Sequence, residues 1–345
     1  FLQCMGSTWT RPLLPTRPSL PTLILLVFLT FLPSFFIFKS LPPFAPPRSR
    51  LPFEGAAYDS IGVAPTAHER RGEGTQEGTP GSSRRKNPAM LKTKKGACFS
   101  AKRDSWENLV AGLQPSWYYT WGHELHPSAP SDIEFVPMIW GCAGKHKLQD
   151  RLDYVKELQN QGKITHLLGF NEPDGKEQAN MTVAQCIEPW AGLTDCGARL
   201  GSPAAVHPRK DWMQGFMTTA IEQNHRVDFV AVHWYGNPKP DEFINQLRAI
   251  HKLYQLPIWI TEFGVADWQA KSSGANRFSE EKVIEFMRAV LPRLDRLPFV
   301  ERYSWFSFKK TKLQGTTSAL YDLENNLTPL GEVYRDHRPS QESSK

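Results

Sequence analysis

Ile164-Thr-His-Leu-Leu-Gly-Phe-Asn-Glu-Pro-Asp174 is an apolar run of strand length that ends abruptly. Ile164 to Leu168 suit a buried strand. Pro173 and Gly175 then stop it, since proline offers no N–H to a ladder and glycine favours a turn. Glu172 is therefore presented where a strand gives way to a loop. Further along, Pro257-Ile-Trp-Ile-Thr-Glu-Phe-Gly264 does the same: a strand of buried type delivers Glu262 and is expected to break at Gly264.

The chain around these segments alternates strands and helices. Lys95–Ser100, Ser116–Trp121 and Ile133–Trp140 read as the first three strands, with a helix from Arg103 to Ala111. Leu148, Leu152, Val155 and Leu158 mark one face of a helix over Lys147–Gln159. After the strand that leads to Glu172 come a helix at Val183–Leu193, a fifth strand at Arg199–Ala204 and a helix at Asp211–Gln223. Val227–Tyr235 is the sixth strand and Asp241–Tyr254 its helix; the strand ending at Glu262 is the seventh. A helix at Glu280–Leu294 precedes the eighth strand, Glu301–Phe308, and Thr328-Pro329 opens a last helix with a cap and a proline in its first turn. Eight strands, most followed by a helix, predict an α/β fold of the (β/α)8 TIM-barrel type in a single catalytic domain. A doubly wound open sheet is the competing architecture, but the glycine-rich phosphate turn it carries after its first strand is absent.

Active sites of such barrels lie at the carboxyl ends of the strands. Either glutamate alone would pass as a solvated loop residue. At corresponding places on strands four and seven they are expected to face one cleft. A carboxylate pair of that kind suits cleavage of a glycosidic bond and needs neither metal nor cofactor, so none is expected.

Charge is uneven along the chain. Of the net +6, residues 1–89 contribute +5 (ten Lys/Arg, five Asp/Glu) and the remainder +1, so the catalytic part has no electrostatic case for a nucleic-acid partner. Residues 1–40 place Arg11 and Arg17 before the apolar run Leu23–Leu32, which continues to Phe38; this reads as a signal peptide or a signal anchor able to hold the chain at a membrane. Residues 41–89, rich in Pro, Gly, Ser and Arg, read as a disordered linker. Residues 90–345 are the catalytic domain. A secreted or cell-wall location follows, or an intracellular one if translation starts at Met90. The five cysteines are too few for a disulfide scaffold; Cys186 and Cys196 are the only pair close enough in sequence to invite a bridge. Two sequons, Asn180-Met-Thr182 and Asn326-Leu-Thr328, would carry glycans on a secreted chain.

Asn171-Glu172-Pro173 and Thr261-Glu262-Phe263-Gly264 resemble the paired signatures of clan A glycoside hydrolases. With Gly96-Ala-Cys-Phe99, Trp117–Trp121, Gly169–Asp174, Arg199–Ala204, Val232–Tyr235 and Trp259–Gly264, the set resembles glycoside hydrolase family 128, the fungal alkali-sensitive-linkage-like barrels, over roughly Lys94 to His337. The resemblance implies retaining, endo-acting hydrolysis of β-1,3-glucan. Glu172 falls on the family's general acid/base and Glu262 on its nucleophile, and a retaining mechanism wants the two carboxyl groups about 5 Å apart. Asn171 falls on the clan residue that hydrogen-bonds the sugar 2-hydroxyl.

His233 and Tyr235 share one side of strand six, His233 expected to line the sugar site and Tyr235 to hold the nucleophile's carboxylate. Trp121, Trp140 and Trp305 are the expected surfaces for apolar sugar faces. Trp117, Tyr119, Trp234 and Trp268 are not singled out, since aromatics are also ordinary barrel core. The expected partners are β-1,3-glucan and its oligosaccharides, and the expected state is a monomer. Hydrolysis of another β-glycan, such as β-1,6-glucan or mannan, and non-catalytic glucan binding are the alternative readings.

Overall fold

The computed structural model describes residues 93–143, 147–271 and 276–339. The signal segment and linker expected over residues 1–89 lie outside the described residues. Among those described, no helix is long and apolar enough to cross a membrane.

Eight strands alternate with helices: β1 (Lys95–Cys98), α1 (Trp106–Gly112), β2 (Trp117–Tyr119), β3 (Glu134–Phe135), α2 (Leu148–Asn160), β4 (His166–Leu167), α3 (Val183–Ile187), α4 (Trp190–Thr194), β5 (Arg199–Leu200), α5 (Asp211–Glu222), β6 (Val230–Gly236), α6 (Pro240–Tyr254), β7 (Ile258–Val265), α7 (Glu280–Arg296), β8 (Val300–Phe306) and α8 (Pro329–Asp336). All strand pairs are parallel, in ladders ordered β3-β2-β1-β8-β7-β6 and β4-β5. Single parallel bridges span the two gaps, Met138 with Leu168 and Gly201 with Phe229. They are fixed by bonds from Ile139 N to Leu168 O (3.1 Å) and from Ser202 N to Phe229 O (2.9 Å). The architecture is the expected (β/α)8 barrel.

Helix faces follow the sequence pattern. In α7, Val283, Phe286, Met287, Val290, Leu291 and Leu294 are all buried at helical spacing, and Ser279 caps the first turn. In α8, Thr328 caps Gly331 N and Pro329 occupies the first turn. The single helix expected over Val183–Leu193 is two, because Pro189 lacks the N–H that would continue the ladder of α3. Cys186 and Cys196 are buried free thiols, so the invited bridge is absent; Cys196 Sγ instead lies 3.4 Å from Gly192 O.

The barrel interior is layered. Trp117, Phe229 and Trp259 fill its middle, with Phe229 and Trp259 stacked at 4.2 Å and Trp117 5.3 Å from Trp259. Gly96 admits Trp117, since a Cβ there would lie 2.2 Å from the indole. Below lies a charged layer: Arg302 donates to Glu134 at 2.9 Å and lies 4.2 Å over Trp259, while Arg199 pairs with Glu301 at 3.1 Å.

One strand departs from its expected end. β7 does not break at Gly264 but continues to Val265, so Glu262 lies within the strand. It faces the interior because β7 is bulged. Val232 pairs with Ile260 and His233 with Glu262, so Thr261 is the extra residue.

Burial works to raise the Glu134 carboxyl, but hydrogen bonds from His166, Arg302 and Thr165 and the Arg302 charge bring it down from 4.5 to about 2. A depressed carboxyl stabilises the fold fully above its unfolded value and loses that contribution as pH falls through the folded one. Glu134→Gln is expected to lower stability by roughly 2 kcal/mol near neutrality. Thermal denaturation against pH should show the gap to the wild-type chain closing between pH 4.5 and about 2.

Candidate active site

Strands β4, β6 and β7 bring Glu172, His233 and Glu262 to one point. His233 Nδ1 lies 2.8 Å from Glu172 Oε1, and its Nε2 lies 3.4 Å from Glu262 Oε1. One ligating atom from each of the three falls within 4.8 Å of the others. The carboxylates therefore come within 4.8 Å of each other, with an imidazole between them.

Local structure explains how Glu172 reaches this point. Gly169 lies where a Cβ would come within 2.8 Å of Gly201 O, so only glycine lets β4 and β5 close to this distance beyond their ladder. Glu172 itself has φ 43°, a left-handed conformation costly for a side chain with a Cβ and typical of functional sites. Its backbone is held by Glu172 N to Ala204 O (2.9 Å), and Asp174 accepts from Val206 N and His207 N to pin the loop after β5.

Three donors converge on Glu262. Trp121 Nε1 donates to Oε1 at 2.7 Å, Tyr119 Oη to the same oxygen at 3.1 Å, and Tyr235 Oη donates to Oε2. Burial, then the charge of Glu262, holds the hydroxyls of Tyr119 and Tyr235 well above the ordinary phenol value, so both stay donors. Trp121 has φ 60°, a second strained residue beside the first carboxylate's partner. For His233 burial opposes protonation, but the charge of Glu262 and the hydrogen bond and charge of Glu172 outweigh it, and its pKa lies above 6.5. By donor type the His and two Glu would also suit a divalent cation. Trp121 and Tyr119 fill both acceptor positions of Glu262 Oε1, and Tyr235 takes one of the two on Oε2.

Residues 96–334 match the family described as glycosyl hydrolase catalytic core. A crystal structure of a subgroup I endo-β-1,3-glucanase of glycoside hydrolase family 128 from Amycolatopsis mediterranei, in complex with laminaripentaose, is 32% identical with a TM-score of 0.59, covering 71% of this chain and 99% of that one. This chain belongs to glycoside hydrolase family 128. A subgroup III curdlan-specific exo-β-1,3-glucanase of the same family from Blastomyces gilchristii is 28% identical with a TM-score of 0.55, covering 71% and 98%. Alkali-sensitive linkage protein 1 of Schizosaccharomyces pombe is 32% identical over 231 residues, 64% of this chain; the match spans 40% of that relative's length.

Within this member of the family, the residues expected at the site do not all arrive there. Asn171 is buried beside Glu172; its Nδ2 donates to Gln178 at 3.3 Å and its Oδ1 has no protein partner. Trp121 and Trp140 are half-buried on the cleft wall. Trp305 is a correction. It is fully buried on the helix side of β8, 5.0 Å from Phe263, and its indole donates to Ser318 O at 2.9 Å. Alternation along β8 turns the next residue, Phe306, inward, where it meets Trp121 at 5.8 Å and Tyr235 at 5.4 Å. His233, 5% exposed, sits between the carboxylates and lines the cavity beside Glu172. Tyr119 also reaches the site, and its position two residues before Trp121 is the sequence signal for it.

His233 is expected to titrate above 6.5 when its imidazole is followed by NMR. Glu262→Gln removes the largest interaction raising that value, so the midpoint should fall; a midpoint that does not move would contradict this electrostatic account.

Proposed function

We propose that the protein is a retaining, endo-acting β-1,3-glucanase that works by double displacement, with Glu172 as general acid/base and Glu262 as nucleophile. The observation that carries this reading is the separation of the two carboxylates, whose nearest oxygens lie within 4.8 Å. Retaining enzymes hold the pair at about 5–5.5 Å, and inverting ones leave a wider gap for a water.

The surroundings of each carboxylate support the division of roles. Glu262, fixed by three neutral donors, is aimed as an anion at a single point. Glu172 has one side-chain partner, His233, and its side chain is the more exposed at 14% against 6%. It is thus free to meet a glycosidic oxygen and later a water. In the first step Glu172 gives its proton to the leaving oxygen while a Glu262 oxygen bonds the anomeric carbon. In the second, Glu172 takes a proton from water, which displaces Glu262 and restores the starting anomer. The unpartnered Asn171 Oδ1 is an acceptor for a sugar hydroxyl, and half-buried Trp121 and Trp140 offer faces to the rings.

β-1,3-Glucan is the substrate we infer, in keeping with the laminari-oligosaccharides bound by the Amycolatopsis enzyme, in which either of two glutamates has been replaced. Secretion or attachment at the cell wall would bring the enzyme to such a substrate, and protein N-terminal sequencing tests which N-terminus the mature chain has.

Glu262→Ala is expected to abolish turnover of linear β-1,3-glucan, and azide should restore cleavage of an activated substrate with inverted product. Glu172→Ala should keep activity on aryl glycosides, whose leaving groups need no proton, while losing about 100-fold or more on glucan. Near-normal activity of Glu262→Gln would defeat the assignment.

A further inference from the structure

Among the described residues Trp268 is the aromatic side chain most open to solvent, 64% exposed. An indole left in water forfeits a large apolar burial, which a soluble domain tolerates where a ligand covers the ring. The backbone beside Trp268 is anchored. The carboxylate of its neighbour Asp267 accepts from Arg277 N (2.9 Å), Nε (3.1 Å) and Nη2 (2.7 Å) and from Gln269 N (3.1 Å), while Asp267 N donates to Gln314 O at 2.8 Å. The ring meets Tyr235 edge-on at 5.9 Å, and Tyr235 donates to Glu262. Trp268 is therefore an exposed flat surface on an anchored stretch of backbone, within one ring contact of the nucleophile's support.

The cleft has two unequal halves. Glu172, His233, Tyr235 and Trp268 line a cavity of about 1100 Å³ that runs out towards α6. Trp121, whose indole holds Glu262, lines with Trp140 a separate cavity of about 640 Å³. A general acid protonates the oxygen that departs, so the leaving half of a substrate lies on the acid's side of the broken bond.

We propose that the glucan crosses the barrel with its reducing-end, leaving half in the larger cavity, stacked on Trp268, and its non-reducing half in the smaller cavity beside Trp121 and Trp140. The direction rests on the assignment of Glu172 as the acid; the platform does not.

Laminarihexaose labelled isotopically at its reducing-end oxygen, digested and read by mass spectrometry, tests both parts. Trp268→Ala is expected to lose about 10- to 100-fold in kcat/KM, the scale of a truncated tryptophan anchor. Its labelled fragments should shorten, because a chain that has lost leaving-side contacts shifts towards the smaller cavity. Trp140→Ala should lengthen them. Labelled fragments that lengthen in Trp268→Ala, or an unmoved cleavage frame, overturn the proposal. If the wild-type chain cleaves nothing, the catalytic reading has failed, and calorimetric affinity for laminarihexaose decides the platform alone. A loss in Trp268→Ala supports it, and an unchanged affinity overturns it.

Discussion

The site depends on one extra residue in one strand. Trp259 points into the barrel, and strict alternation from it would turn Thr261 and Phe263 inward and Glu262 outward among the helices. The bulge places Thr261 and Glu262 together opposite Ser304, between the pairs Ile260–Tyr303 and Phe263–Trp305. Glu262 thereby faces His233, while Phe263 turns out to stack on Phe243. Bulges re-aim side chains beside active sites, and here the re-aimed group is a carboxylate.

The rest of the barrel is built around holding that group. β2 contributes Tyr119 and the turn after it the strained Trp121, and β6 contributes His233 and Tyr235. The three side chains that donate hydrogen bonds to Glu262, Tyr119, Trp121 and Tyr235, are neutral, so dipoles orient the carboxylate in a buried environment. Such donors act strongly when water is excluded and need no rearrangement as charge moves. On the opposite wall Glu172 is held by its backbone more than by its side chain, through the left-handed turn before Pro173 and the close approach that Gly169 allows. One carboxylate is fixed by its neighbours and the other by its own chain.

Polar groups are used differently at the two ends of the interior. The lower layer spends its charges on one another, Arg302 with Glu134 and Arg199 with Glu301, and the arginines cover aromatic faces. The upper layer leaves the Asn171 Oδ1 and His233 Nε2 without close partners. Unsatisfied buried polar atoms are costly; others, Arg302 Nη1 among them, lie elsewhere in the fold, and these two lie beside Glu172 and Glu262, where a ligand would supply the missing bonds.

Local sequence determined a good deal: the strand-helix alternation, the capped ends of α7 and α8, and the arrival of Glu172 and Glu262 at the same end of the barrel, because periodicity, caps and breakers act over a few neighbouring residues. What faces inward was decided only by the tertiary structure. Trp305 and Phe306 are adjacent on β8, and the barrel's register alone sends the first into the helix layer and the second to the cleft. Thr261 carries no sign that it is supernumerary; its neighbours β6 and β8 make it so by pairing past it. Trp268 became distinct only when folding covered the other described tryptophans, phenylalanines and tyrosines more fully and left it open at the rim.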